Sequence, residues 1–381
     1  MAAALGYFGA EVVHIESRMR PDGHRGGHNP AAWNTSPTFV KLHRNFESVT
    51  LNLQSPEGLE AARQLAQISD VVVENFSLDV LPKLGLDYGR LRAIRPDIIM
   101  ISLRGFGSTG PWAGYATWGP NLGAILGMTH LWNYPGSEAP TAEARSQHPD
   151  FMSGVCGAFA VMSALIHRRK TGEGQWIDTA QAETGALPLG PIYLDTLMNG
   201  RDPRPLGNRS GSVAPQGVYR CAGQDHWCAI SIETDAQWRA FRRALGDPAW
   251  AQAPELDSLS GRMAHHDEID EHIESWTGTM ERYDIMRLLQ RYCVPCGVVQ
   301  DVEDLVSRDS QLQDRGFLAG VHEPEIGNVL VESLPVRLSE TPGSYRTHAP
   351  LMGEHTKEVC VRLLGIGAER LQSLQHTKAF Y

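Results

Sequence analysis

The stretch "SVTLNLQSPEGLEAARQLAQISDVVVENF", residues 48–76, decides the fold. It opens and closes on short β-rich runs, and its middle, 55–69, has the marks of a helix. Ser55 is a good N-cap, with Pro56 and Glu57 suited to the first turn. Working outward, "AEVVHI" (10–15) precedes it and "DIIMISL" (97–103) follows it as further strand-like runs. "DVLPKLGLDYGRLRAI" (79–94) turns helical towards its end. Strands that alternate with helices predict an α/β fold with a parallel sheet. "QWIDTAQAE" (175–183) reads as a strand passing into another element.

A Pro- and Gly-rich region from 186 to 217 separates this unit from a second one. The second unit has strands at 226–232 and in "CGVVQDV", with helices near 235–245, 262–277 and 281–292. Short strands and turns over 324–346 and a helical segment in "APLMGEHTKEVCVRLLG" close the chain. The predicted division is a large domain over 1–195, a linker over 196–217, a small α+β domain over 218–320, and a return to the large domain over 321–381.

The bulk numbers limit the function classes. The 381 residues suffice for one large domain or two ordinary ones. With 42% hydrophobic and 20% charged residues, the composition is globular. The net charge of −10 argues against a nucleic-acid binder. No uninterrupted apolar run reaches the ~18 residues of a membrane helix; the longest candidate, 151–166, is broken by Ser153, Gly154, Gly157 and Ser163. With no secretory signal, the expected compartment is the cytoplasm, with no membrane partner.

Several motifs can be set aside. No GxGxxG follows the first strand, and "RGFGSTGP" (104–111) lacks the Lys-Ser/Thr of a P-loop, so it reads as a turn after the fourth strand. No GxSxG elbow occurs. The CxxC of Cys293 and Cys296 leads into a strand and has no second pair, so it is read as structural. "MAHHDEIDEHIE" (263–274) offers His265, His266, Asp267, Asp270 and His272 but no HExxH, and reads as a solvated helix face. "GEHTKE" (353–358) reads as a turn and helix start. No metal ligand set and no tightly bound cofactor are expected.

Asp150 stands apart. In "HPDFMSGVCGAFAVMSALIHRRKTGEG" it heads a long apolar run predicted as a buried helix over 151–168, with basic residues in the last turn and Gly172 as its stop. Pro149 before it places Asp150 at the N-cap or just outside, where the helix dipole favours an anion. The small residues Ser153, Gly154, Gly157 and Ala158 permit close packing or the approach of a ligand. A carboxylate held there suits either a plain cap or a nucleophile toward an activated acyl group.

The residues also carry a family resemblance. "LGYFGAEVVHIE", "HRNFESVTLNLQSPEG", "VVVENFSLDVLPKLGLDY", "RGFGSTGPW", "HPDFMSG…ALIHRRKTGEGQWID", "CVPCGVVQDVEDL" and "APLMGEHTKEV" follow one another as they do in the class III coenzyme A transferases, the group that includes formyl-CoA and carnitine-type transferases. The chain resembles that family over nearly its whole length. The resemblance implies a Rossmann-like large domain, a smaller domain and an interlocked homodimer. It also implies an activity: CoA moves from an acyl-CoA to a carboxylic acid through an aspartyl-CoA thioester on Asp150. The family's CoA-binding positions fall on Leu51, Gln54, Asn75, Phe76 and Lys83. Lys83 would meet the anionic nucleotide end and Asn75 the adenine or ribose. Arg18 stands next to Ser17, where the family carries an arginine.

The family pattern opens ahead of Met1, with a first strand and a Gly-Pro turn. A truncated start, another start codon and half of a split enzyme are the three readings of that difference. "GNRSGSVAPQG" (207–217) takes the place of the family's glycine loop. An α-methylacyl-CoA racemase shares the fold, but its Gly-His-Asp is Gly114-Tyr115-Ala116 here, and a tyrosine is a poor base at neutral pH. A CoA-binding subunit without catalysis is the remaining alternative. Trp112, Trp118 and Trp132 suggest a bulky or apolar acyl group, with core packing as the role of at least two of them.

Overall fold

The structure, a computed structural model, describes residues 1–27, 29–137 and 147–381. It divides into two compact units, one of Met1–Leu126, Ala144–Asp195 and Ser310–Tyr381, the other of Gly127–Glu143 and Thr196–Asp309. The region expected as a linker lies in the second unit, and part of the expected large domain, from Gly127, goes with it.

The first unit contains two parallel sheets. Strands β1 (Val12–Glu16) and β2 (Phe46–Thr50) pair in one; β3 (Val71–Glu74), β4 (Ile99–Arg104) and β5 (Trp176–Ala180) pair in the other, with β4 central. Ile99, Met100 and Ile101 of β4 are all buried, as befits a strand covered on both faces. The helix between β2 and β3 runs Pro56–Ile68, and the Ser55 hydroxyl accepts the Gly58 N–H at 3.0 Å. Gly58, Ala61, Ala62 and Leu65 form its buried face, the i, i+3, i+4, i+7 spacing of an amphipathic helix. Ala61, Ala62 and Leu65 share one core with Val49, Leu51, Leu81, Leu91, Ile98, Met100, Val359 and Phe380. Each such large apolar side chain contributes about 1.5–3 kcal/mol by leaving water.

The helix carrying Asp150 spans His148–Thr171, capped by Gln147 and ended by Gly172 in the left-handed conformation. It therefore starts earlier than its sequence suggests, and Asp150 is the third residue of the first turn rather than the cap. Proline is tolerated there because the first N–H groups have no helical partner. The helix is also not buried all round. Pro149, Ser153, Gly157, Val161 and Ala164 form its buried stripe. A Cβ on Gly157 would lie 3.1 Å from Leu103 Cδ2 and 3.2 Å from Ile101 Cδ1, so small residues let the helix sit down on β4. Phe151, Val155, Phe159, Met162 and Ile166 face outward. This is the one helix among the described residues long and apolar enough to cross a membrane by length and composition. Its Ser and Gly residues interrupt the apolar run without interrupting the helix, which corrects the sequence expectation.

Residues 190–199, within the Pro- and Gly-rich region, form the helix Gly190–Asn199. The second unit has an antiparallel sheet of β6 (Gln216–Arg220), β7 (Trp227–Ser231) and β8 (Cys296–Val299), with β7 central. Helices Asp235–Ala244, His266–Thr277 and Arg282–Arg291 pack Trp238, Phe241, Ile273, Ile285 and Leu289 into its core. The acidic helix is less solvated than expected. His266 is buried, the Tyr219 hydroxyl donates to Asp270 Oδ1 at 2.7 Å, and His272 stacks on Trp250. Cys293 and Cys296 are free thiols, and Cys296 opens β8. A hairpin of β9 (Leu318–Glu323) and β10 (Gly327–Glu332) belongs to the first unit.

Candidate active site

In an open parallel sheet, ligands gather at the carboxyl ends of the strands. Most of the residues singled out from the sequence stand there. Arg18 follows β1, Leu51 and Gln54 follow β2, and Asn75 and Phe76 follow β3. Gln54, Asn75 and Phe76 are exposed. Arg18 donates from Nη2 to the Met352 carbonyl at 2.9 Å. Leu51 is different: its side chain is 1% exposed within the core, and its N–H donates to Glu16 O at 2.8 Å. It can meet a ligand only through its main chain. Lys83 lies on the short helix Val80–Leu84, exposed and 3.6 Å from Asp79.

Ion pairs and hydrogen bonds lock this edge. Arg104 Nη2 donates to Glu74 Oε1 at 2.8 Å, and both side chains are buried. Glu74 Oε2 accepts the Phe76 N–H at 2.8 Å, which fixes the turn carrying Asn75 and Phe76. Arg104 Nη1 also donates to Ser108 Oγ, which in turn donates to Asp178 Oδ1 at 2.8 Å. The glycine-rich 104–111 loop is thus tied to β5. Gly105 is required in it because any Cβ would run into the Thr117 side chain, and its carbonyl accepts the Ala182 N–H at 2.9 Å.

Gln181 is the first residue after β5. Its Nε2 donates to Asp150 Oδ1 at 3.4 Å. The other oxygen, Oδ2, lies against Cα of Gly119, where an added Cβ would collide with it. That oxygen is buried and has no hydrogen-bond partner among the described residues. Burial pushes the Asp150 carboxyl above its ordinary range. The backbone N–H, Gln181 and the nearby His24 act against that rise. Register places Asn75 and Gln181 at the ends of β3 and β5 on either side of β4, two strand spacings and two residues' offset apart, roughly 12 Å.

The result is a carboxylate with one oxygen oriented and the other desolvated and bare, beside the sheet whose β3 end carries Asn75 and Phe76. A model of CoA-transferase family III matches residues 1–356. The chain belongs to that family. The family places this transferase chain among enzymes. It is 31% identical over 98% of its length to a protein named succinyl-CoA–L-malate CoA-transferase beta subunit from Chloroflexus aurantiacus, of which it covers 92%. It is 30% identical to the succinate–glutarate CoA-transferase of Agrobacterium fabrum, over 94% of this chain and 90% of that one. It also aligns over its full length, at 30% identity, with a probable CoA-transferase of Mycobacterium tuberculosis, but spans only 48% of that protein. A solved CAIB/BAIF family protein from Brucella suis superposes with a TM-score of 0.86 at 28% identity, covering 95% of this chain and 94% of that one.

Reading the transferase's sequence missed Gln181, Gly119 and His24. Gln181 had a signal, since it stands directly after a predicted strand of a parallel sheet. Gly119 and His24 had none, because only folding brings them to Asp150. The three tryptophans are exposed rather than in the core: Trp112, Trp118 and Trp132 keep 49%, 79% and 54% of their surface. Trp112 stacks on Tyr115 and meets Phe106 edge-on, forming a surface aromatic cluster after β4.

Proposed function

We propose that the protein transfers CoA from an acyl-CoA to a carboxylic acid, with Asp150 as the covalent nucleophile. The observation that carries this reading is the bare, buried Oδ2 of Asp150. Desolvation makes a carboxylate a stronger nucleophile and protects an anhydride from water. Oδ2 attacks the thioester carbonyl, the C–S bond breaks, and CoA leaves as thiolate. The thiolate attacks the aspartyl carbonyl of the mixed anhydride and expels the donor acid, leaving aspartyl-CoA. The acceptor carboxylate attacks that thioester and releases the thiolate again. The thiolate then takes the acyl group from the second anhydride and restores Asp150. No net proton is consumed. Gln181 donates to Oδ1 and so orients the carboxylate.

CoA enters as a substrate, held by Arg18, Leu51, Gln54, Asn75 and Phe76 after the strands and by Lys83 on the helix Val80–Leu84. The relatives named for succinyl-CoA and for succinate make succinyl-CoA the first donor to try. A homodimer fits the outward stripe of the Asp150 helix, whose five large apolar side chains call for a partner surface. Six free thiols suit a reducing cytoplasm.

Intact-protein mass spectrometry tests the reading. The protein is incubated with a panel of acyl-CoAs, then quenched with hydroxylamine or borohydride. The expected result is a modification confined to Asp150 and lost in Asp150→Asn. A protein that binds CoA yet forms no adduct with any donor, or that modifies equally in Asp150→Asn, overturns it.

A further inference from the structure

Away from the acyl chemistry, β1 and the loops after β1 and before β2 bring three histidines around one carboxylate. His14 lies on β1, Asp22 and His24 in the loop after it, and His43 just beyond the helix Pro37–Leu42. Asp22 Oδ1 is taken up by His24, whose N–H donates to it at 2.7 Å and whose Nδ1 lies 3.3 Å away. Asp22 Oδ2 faces His14 Nε2 at 3.6 Å and His43 Nε2 at 3.8 Å. One donor atom from each of His14, Asp22 and His43 lies within 4.8 Å of the others. Tetrahedral bonds of ~2.0–2.2 Å separate neighbouring ligand atoms by about 3.3–3.6 Å, which the two histidine-to-Asp22 distances approach.

The surroundings are those of a ligand set. His43 Nδ1 lies 3.1 Å from the Phe39 carbonyl. A carbonyl only accepts, so Nδ1 carries the proton and Nε2 presents its lone pair to the centre, the arrangement that orients metal-binding imidazoles. Its ring is fixed by stacking on Phe39 at 4.0 Å. His14 Nδ1 is buried without a hydrogen-bond partner among the described residues, 4.0 Å from Glu16.

We propose that His14, Asp22 and His43 form a binding site for a divalent first-row transition-metal ion of the Zn²⁺ type, with an open position for water. Two imidazoles and one carboxylate are a ligand set such ions accept. The ion would tie β1 to the loops on either side of it. His24 shares Asp22 with that site and acts electrostatically on Asp150, so the tie holds a loop that faces the nucleophile. The ion takes no part in the acyl exchange, and the inference is independent of it.

The test is a titration of chelator-treated protein with Co²⁺, followed by its visible absorption, then displacement by Zn²⁺ with calorimetry for stoichiometry. One equivalent with a four- or five-coordinate spectrum is expected. Asp22→Asn retains the oxygen that caps His24 N–H and removes the charge; His14→Gln retains size and removes the imidazole. Each should lose at least tenfold in affinity while keeping the wild-type circular dichroism spectrum. Absence of saturable binding to the wild-type protein overturns the proposal without reference to any variant. So does an unchanged affinity in both variants.

Discussion

Oδ2 of Asp150 rests against Cα of Gly119, with no room between them for a methyl group. The two residues are distant in sequence, and each opens a helix: Asp150 in the first turn of His148–Thr171, Gly119 at the start of Gly119–Ile125. The contact keeps water and hydrogen-bond donors off the oxygen while leaving its carboxylate ionisable. Gly119→Ala puts a methyl group on that oxygen and turns the carboxylate. Loss of kcat by about tenfold or more is expected, ~1.4 kcal/mol of barrier, with a smaller change in KM for CoA. Steady-state exchange assays decide it, and a rate within about twofold of wild type contradicts the geometry.

The pH profile follows from the same carboxyl group. Burial raises its folded pKa, and in the proposed mechanism only the ionised form attacks, so kcat/KM should fall as pH drops through that raised value. The hydrogen bond from Gln181 favours the charged form. Gln181→Leu removes it, raises the pKa further, and shifts the acid limb to higher pH. A profile of kcat/KM across the acid range that does not move shows that Gln181 leaves Asp150 unaffected.

The sign for stability is the reverse. A carboxyl whose folded pKa lies above its unfolded one works against folding once pH exceeds the unfolded value, and the penalty grows until pH passes the folded value. Asp150→Asn should therefore melt no lower than wild type at pH 7, and relatively higher there than at acid pH. Thermal melts at the two pH values measure this.

Glu74 and Arg104 make a buried pair whose loss leaves a charge stranded. Glu74→Gln should cost about 3–5 kcal/mol in denaturant unfolding. Because Glu74 Oε2 also holds the Phe76 N–H, the variant should raise KM for CoA more than it lowers kcat. Equal effects on both constants would place Phe76 outside the CoA site.

The outward stripe of the Asp150 helix gives a test of assembly. Val155 and Phe159 are 69% and 76% exposed in the single chain, so charges there cost the fold little. Val155→Glu with Phe159→Lys adds a favourable i, i+4 pair to the helix. Sedimentation should show a wild-type dimer and a folded, monomeric variant.

The sequence by itself determined the local elements and their order. Ser55-Pro56-Glu57 start a helix and valine-rich runs form strands because caps and apolar periodicity act between neighbours along the chain. Asp150 was legible for the same reason, as a lone carboxylate beside a proline at the head of an apolar helix, and the succession of motif blocks gave it a chemical meaning. The tertiary structure decided what touches it. Gln181 meets Asp150 only because β5 pairs with β4 and the long helix lies down on β4, while Gly119 and His24 come from two further stretches that nothing local in the sequence links to it. His14, Asp22 and His43 converge only once β1 pairs with β2, in register Val12 with Phe46. The exposure of Phe159 was equally hidden, since hydrophobicity records that a side chain seeks cover but not whether its own chain supplies it. Such juxtapositions depend on strand register and helix packing, which no contiguous run of residues encodes.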